Sequence, residues 1–282
     1  MSYELSIIVI GALTGVCCSL VGSYLLARKM AMIGDAISHT VLLGIVIAFL
    51  VSSQMSGIWM YIGATVVGLA TAYFAQLLHE WKVKADAAIG VTFTTLFALA
   101  ILLITLFTER VHLDLDHVLY GEIAFAPLRT WEWFGHSLGP QALWILSGLM
   151  LLIIGCYALL SKQIRTITFD PAFAQVSGMP LRRVHYLMMT LVSLTAVAAF
   201  DIVGSILVVA MLVVPPATAY LMARSFQQVL LYSALFAIVA ALGGYAMASV
   251  LNASIAGAMT VCAGLIFAFI FSLKIALRKL KV

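Results

Sequence analysis

Charge is scarce in this chain. Asp, Glu, Lys and Arg together make up 9% of its 282 residues, hydrophobic residues make up 64%, and the mean hydropathy is +1.15. Soluble domains carry about 25% charged residues, so the composition is that of an integral membrane protein. The net charge of +4 is scattered along the chain, which gives no basic patch for nucleic acid. There is no Gly-x-x-x-x-Gly-Lys-Ser/Thr loop, so the chain has no phosphate loop of its own for hydrolysing ATP. His-Glu-x-x-His is also missing, which sets aside an intramembrane metalloprotease. The chain is therefore read as a non-enzyme with no permanently bound cofactor. Cysteine is limited to Cys17, Cys18, Cys156 and Cys262, all inside apolar runs and at no zinc or disulfide spacing. Adjacent cysteines point in different directions on a helix, so Cys17 and Cys18 read as small packing residues, with soft-metal ligation as the alternative. The N-terminus carries Glu4 in place of a basic region and no clear cleavage site, so it is expected to be a first span and not a signal peptide.

About twenty apolar residues cross a bilayer. The expected spans are Leu5–Ala27, Ile33–Val51, Ile58–Leu78, Ala87–Phe107, Ala142–Leu160, Val184–Ala199, Ile202–Met222, Val229–Leu251 and Ile255–Leu273. The run from Val184 to Met222 is too long for one helix, and a turn is placed around Asp201, with Gly204 close by. The fold class is thus all-α, a polytopic bundle of nine spans in a single domain over residues 1–282. Eight remain if one of that pair does not cross. With the N-terminus outside, thirteen of the 15 Lys and Arg fall on the inner side, and only Arg110 and Arg129 fall outside. The positive-inside rule favours that orientation, with the C-terminal tail in the cytoplasm of a cell (inner) membrane.

Two connections are longer than turns. The outer segment, about 108–141, carries His112, Asp114, Asp116 and His117 followed by Trp131, Trp133 and Phe134, and is expected at the membrane interface. Its acids and histidines offer an outer metal or partner contact, or an ordinary exposed loop. The inner segment holds a short helix, about 169–179. Thr168 or Asp170 can cap it, Pro171 suits its first turn, and Gly178 with Pro180 ends it. Phe169, Phe173 and Val176 recur at three to four residues and need a surface, either a docking protein or the chain's own membrane domain.

Inside the spans, the ligand-type pair is Asp35 and His39 in Gly34-Asp35-Ala36-Ile37-Ser38-His39. Positions i and i+4 share a helix face, and an ionisable pair in a span is functional by default. A carboxylate and an imidazole make a half-site for a divalent ion. The alternative is an Asp–His bond that braces two helices, with Asp35 also favoured near a helix N-terminus. Lys29 lies only about 9 Å of helix rise before Asp35, which puts the pair nearer the inner side than the midplane. Asp201 at the outer turn could face a docking protein or cap a helix. Asp86, near the inner mouth, could help coupling or be an ordinary helix-start acid. Pro215-Pro216 should kink its span and could form part of a gate. His79, His136 and His185 sit at span edges and are expected at the interface.

Taken in order, Arg28 to His39, Asp86-Ala87-Ala88-Ile89-Gly90, Leu115-Asp116-His117-Val118-Leu119-Tyr120-Gly121, Asp170-Pro171-Ala172-Phe173-Ala174 through Gly178, and Ile206 to Ala219 with its prolines resemble the motifs of the manganese/zinc/iron permeases of ABC transporters, the ABC-3 group. The resemblance covers nearly the whole chain. It implies a permease subunit that passes Mn, Zn or Fe inward, dimerises with itself or a related permease, sits on a cytoplasmic ATPase, and receives its ion from an extracytoplasmic metal-binding protein. It also implies that Asp35 and His39 coordinate the passing ion and that the 169–179 helix couples to the ATPase. The rival is an ion-gradient-driven divalent metal transporter working alone.

Overall fold

The computed structural model describes residues 2–52, 58–107, 123–133 and 136–279. The elements in chain order are α1 (Tyr3–Ala27), α2 (Met32–Ser52), α3 (Ile58–Glu80) and α4 (Ala85–Phe107). A 3-10 helix (Ile123–Leu128) and two short strands, β1 (Thr130–Trp133) and β2 (His136–Pro140), follow. The rest is α5 (Gln141–Phe169), α6 (Pro171–Val176), α7 (Leu181–Val203), α8 (Ser205–Met222), α9 (Phe226–Leu251) and α10 (Ile255–Lys279). Among the described residues, nine helices are long and apolar enough to span a bilayer, and they coincide with the nine expected.

Three differences from the sequence expectation have physical causes. First, α5 runs nine residues past Leu160. The apolar run ends there, but Ile164 and Ile167 are fully buried and Thr166 and Thr168 donate to the carbonyls one turn back, so the helix continues out of the bilayer. Second, the break between α7 and α8 falls at Gly204 and not at Asp201. Gly204 sits at φ +81° and ψ 167°, a conformation open essentially to glycine alone, while Asp201 stays inside α7. Third, the described part of the outer segment is a plug and a ribbon. Ile123 is buried against α1, and β1 pairs antiparallel with β2 through Thr130↔Pro140 and Trp133↔His136.

The spans divide into two packed groups. One gathers α5, α8 and α9 around α1, with α10 against α8 and α9; the other gathers α2, α3 and α4, with α7 packed on both groups. Although consecutive, α1 and α2 share few contacts. Hydrocarbon gives helices no hydrophobic reason to associate, so close backbone approach and side-chain hydrogen bonds carry the packing. A Cβ on Gly44 of α2 would lie 2.4 Å from the Gly63 carbonyl oxygen of α3, and the buried Thr40 and Thr71 hydroxyls meet at 2.7 Å. In α8 the two prolines do not interrupt the helix, which runs on to Met222. Pro216 deprives the Leu212 carbonyl of its helical donor, and that carbonyl lies against the backbone of Gly22 on α1.

Candidate metal site and coupling helix

Asp35 lies in the first turn of α2 and His39 one turn further on, so helix geometry alone puts both side chains on one face. Ala36, Ile37, Ser38, Thr40 and Val41 around them are buried. The two ligand-type side chains are 36% and 31% exposed, so the helix is gripped elsewhere and open here. The imidazole of His39 stands among the α4 aromatics, with ring centroids 5.4 Å from Phe93 and 5.9 Å, edge-on, from Phe97. Those rings limit how far the imidazole can swing.

The separation of the pair bears on both of its readings. His39 Nε2 lies 3.5 Å from Asp35 Oδ1, longer than the roughly 2.7–3.2 Å of a firm hydrogen bond. Metal–ligand bonds of about 2.1 Å to nitrogen and to carboxylate oxygen bridge such a gap at a ligand–metal–ligand angle of roughly 110°, near tetrahedral. The spacing is thus compatible with both donors on one divalent ion and is long for a direct Asp–His hydrogen bond. Both atoms also belong to one helix, so a bond between them could not tie α2 to anything. Among the described residues no three His, Cys, Asp or Glu side chains gather. Two donors per chain leave coordination positions for water or a second copy.

The other expected contacts distribute as follows. Asp114, Asp116 and His117 lie outside the described residues. Asp201 is engaged by its own chain: the Tyr61 hydroxyl donates to Oδ2 at 2.7 Å, and the Arg129 guanidinium lies 3.6 Å from the same oxygen. It caps no helix; it ties the start of α3 and the lead into β1 to the end of α7. His185 departs from the interfacial expectation. It is 6% exposed, with Nδ1 3.1 Å from the Tyr24 hydroxyl, because α7 tucks its first turns against α1.

The short helix expected at 169–179 is α6, and Asp170 is its cap, the carboxylate accepting from the Phe173 N–H at 2.9 Å. Pro171 fills the first position, where a missing N–H costs nothing. Gly178 at φ +69° turns the chain out, and Met179 N–H returns to the Ala174 carbonyl. Ala174 is fully buried against the chain's own helices, whereas Phe173 and Val176 are exposed, Val176 at 89%. Phe169 is also exposed and sets its ring edge-on to Phe226, with centroids 5.7 Å apart. One face of α6 is thus packed at home, and the other is apolar and open.

Sequence reasoning missed the anchors of this segment. Arg28 donates to the Ile167 carbonyl, just before α6, and Tyr24 meets His185, just after it. The partners are more than 130 residues apart in sequence, and only the i, i+4 spacing of Tyr24 and Arg28 hints that they act from one face.

The model of the ABC 3 transport family matches residues 2–274. The manganese transport system membrane protein MntD of Bacillus subtilis is 48% identical over 274 residues, 96% of this chain and 93% of that protein. The zinc transport system membrane protein TroD of Treponema pallidum is 38% identical, covering 95% of this chain and 73% of that protein. Among solved structures, PsaBC from Streptococcus pneumoniae in complex with Fab superposes with a TM-score of 0.78 at 30% identity, over 96% of this chain and 91% of that one.

Proposed function

The chain belongs to the ABC 3 transport family, and from that premise we propose that it is the permease subunit of an ATP-driven importer of a divalent transition-metal ion, Mn, Zn or Fe. Asp35 and His39 are the residues that hold the ion in transit. The observation that carries this reading is their pairing, open on one side and 3.5 Å apart, in a chain matched over nearly its whole length by metal-transport permeases. Two mixed O and N donors per chain suit a site that must release its cargo, and they do not select among these metals. A second permease, identical or related, brings a second pair across a two-fold axis.

The N-terminus lies outside and the C-terminus in the cytoplasm. An extracytoplasmic binding protein delivers the ion to the outer face, where Asp201 lies, and Asp114, Asp116 and His117 are further candidate contacts for it. A cytoplasmic ATPase docks on the open face of α6, with Phe169, Phe173 and Val176 as its apolar contact and Asp170, Pro171, Ala174 and Gly178 setting the shape of the helix. ATP-driven movement of α6 reorients α2 and its pair, and α8 with Pro215 and Pro216 lines the gate.

The test is metal uptake by membrane vesicles that contain the whole complex. Asp35→Ala and His39→Ala should each abolish uptake while the ATPase still co-purifies with the permease. Normal uptake by both variants would overturn the site. Uptake by this chain with no ATPase present would favour a gradient-driven transporter working alone.

A further inference from the structure

A groove of about 570 Å³ runs between α5 and α9 at the inner end of the bundle, within the roughly 300–1,000 Å³ of small-ligand sites. Its inner wall is apolar: Leu20, Ile154, Tyr157, Ala158, Phe226 and Leu230. Tyr157 is held in place because its hydroxyl donates to the Leu20 carbonyl at 3.0 Å, and its ring lies 6.4 Å from that of Phe226. The mouth is polar and basic, formed by Ser161, Lys162, Arg165 and Gln227. Lys162 and Arg165 are exposed, and neither has an ion-pair partner among the described residues.

Depth fixes what such a groove meets. At 1.5 Å per residue, Lys162 lies about 31 Å along α5 from Gln141 and Arg165 about 36 Å. With a hydrocarbon core of about 30 Å, the apolar wall is at acyl-chain depth and the two cations are at headgroup level. An apolar slot capped by two unpaired cations is complementary to an amphiphile with a negative head. Basic pockets between helices on the cytoplasmic side hold anionic lipid headgroups by this chemistry.

We propose that the α5–α9 groove binds one anionic phospholipid, with its phosphate on Lys162 and Arg165 and an acyl chain along Ile154, Ala158 and Leu230. The site adjoins the coupling segment, because Phe226 floors the groove and also carries the ring of Phe169. The bound lipid therefore supports the lead into α6.

The full-length chain, purified in neutral detergent, is offered equal amounts of phosphatidylglycerol and phosphatidylcholine, and retained lipid is read by native mass spectrometry. One basic residue near an anionic surface is worth about fivefold, so Lys162→Gln with Arg165→Gln should lower phosphatidylglycerol retention roughly 25-fold. Lys82→Gln with Lys84→Gln removes the same charge elsewhere on the inner side and should leave retention unchanged. Ala158→Trp, which fills the slot and keeps the charge, should lower it as well. Equal retention by the Lys162/Arg165 double variant overturns the proposal, as does an equal loss in the Lys82/Lys84 control. Displacement by inorganic phosphate together with no effect of Ala158→Trp would assign the cations to free phosphate and also overturn it.

Discussion

Two glycines of α2 separate packing against backbone from packing against a side-chain end. A Cβ at Gly44 would meet the Gly63 carbonyl oxygen at 2.4 Å and Ala64 Cα at 2.6 Å. Relaxed carbon contacts lie at about 3.5 Å, and the obstacle is the backbone of α3, so the helices must part by about 1 Å. The Thr40–Thr71 hydroxyl pair sits one turn away at 2.7 Å, and that parting takes it beyond hydrogen-bond range. Overpacking costs about 1–3 kcal/mol, and an interhelical hydrogen bond in a membrane is worth roughly 0.6 kcal/mol. Alanine is the better helix former by about 1 kcal/mol, which offsets part of this, so Gly44→Ala should destabilise the chain by about 1–3 kcal/mol. At Gly34 the new methyl would meet only Leu212 Cδ1, at 2.9 Å, with the next atom at 3.8 Å. A leucine methyl can rotate away, and alanine is the better helix former by about 1 kcal/mol, so Gly34→Ala should change stability by less than about 1 kcal/mol. Denaturant unfolding of the purified variants in one detergent, followed by circular dichroism, reads both numbers. A Gly44→Ala protein within about 0.5 kcal/mol of wild type would refute the claim that backbone contact locks α2 to α3.

Two further substitutions test the coupling segment and the α7–α8 break. Asp170→Ala removes the α6 cap, worth about 0.5–2 kcal/mol, from a helix too short to stand alone; stimulation of the ATPase by delivered metal should fall severalfold, with permease abundance unchanged and partial rescue by Asp170→Asn. Gly204→Ala forces an L-residue into φ +81°, ψ 167° and should cost about 1–3 kcal/mol in the same unfolding assay; an unchanged midpoint would show that the α7–α8 turn has another conformation available.

Hydropathy found the nine spans among the described residues because crossing a membrane demands about twenty apolar residues whatever the tertiary context. It misjudged ends wherever tertiary contacts outlast the apolar run, as at α5, where buried Ile164 and Ile167 carry the helix to Phe169. Asp35 and His39 were legible because both lie on one helix and the i, i+4 rule is local. Asp170 and Pro171 were legible for the same reason. The contacts of Asp201 and His185 were not legible because their partners, Tyr61, Arg129 and Tyr24, lie in other elements. No local pattern tells a polar residue at a span edge that a distant hydroxyl will bury it. The burial of Ala174 beside the exposure of Phe173 and Val176 was likewise hidden, since the sequence pattern fits a surface on either side.

The packing also sets which contacts join α6 to the Asp35–His39 pair. The obvious route runs through α1, which Arg28 and Tyr24 fasten to both flanks of α6 and which precedes α2 in the chain. Yet α1 and α2 share few contacts, and the Arg28–Ala31 link joins them by backbone alone. A second route is packed from α7 onward. The chain leaves α6 through Gly178 and enters α7 at Leu181. Ser193 of α7 donates to the Thr65 carbonyl of α3 at 3.3 Å and lies where a Cβ on Gly68 would clash. From α3, the Gly63–Gly44 approach and the Thr71–Thr40 bond reach α2 within one turn of His39. Close-packed interfaces shift as units and do not deform smoothly. Because α7 also packs on α1 and α5, and α2 on α8, a displacement of α7 bears on both helix groups.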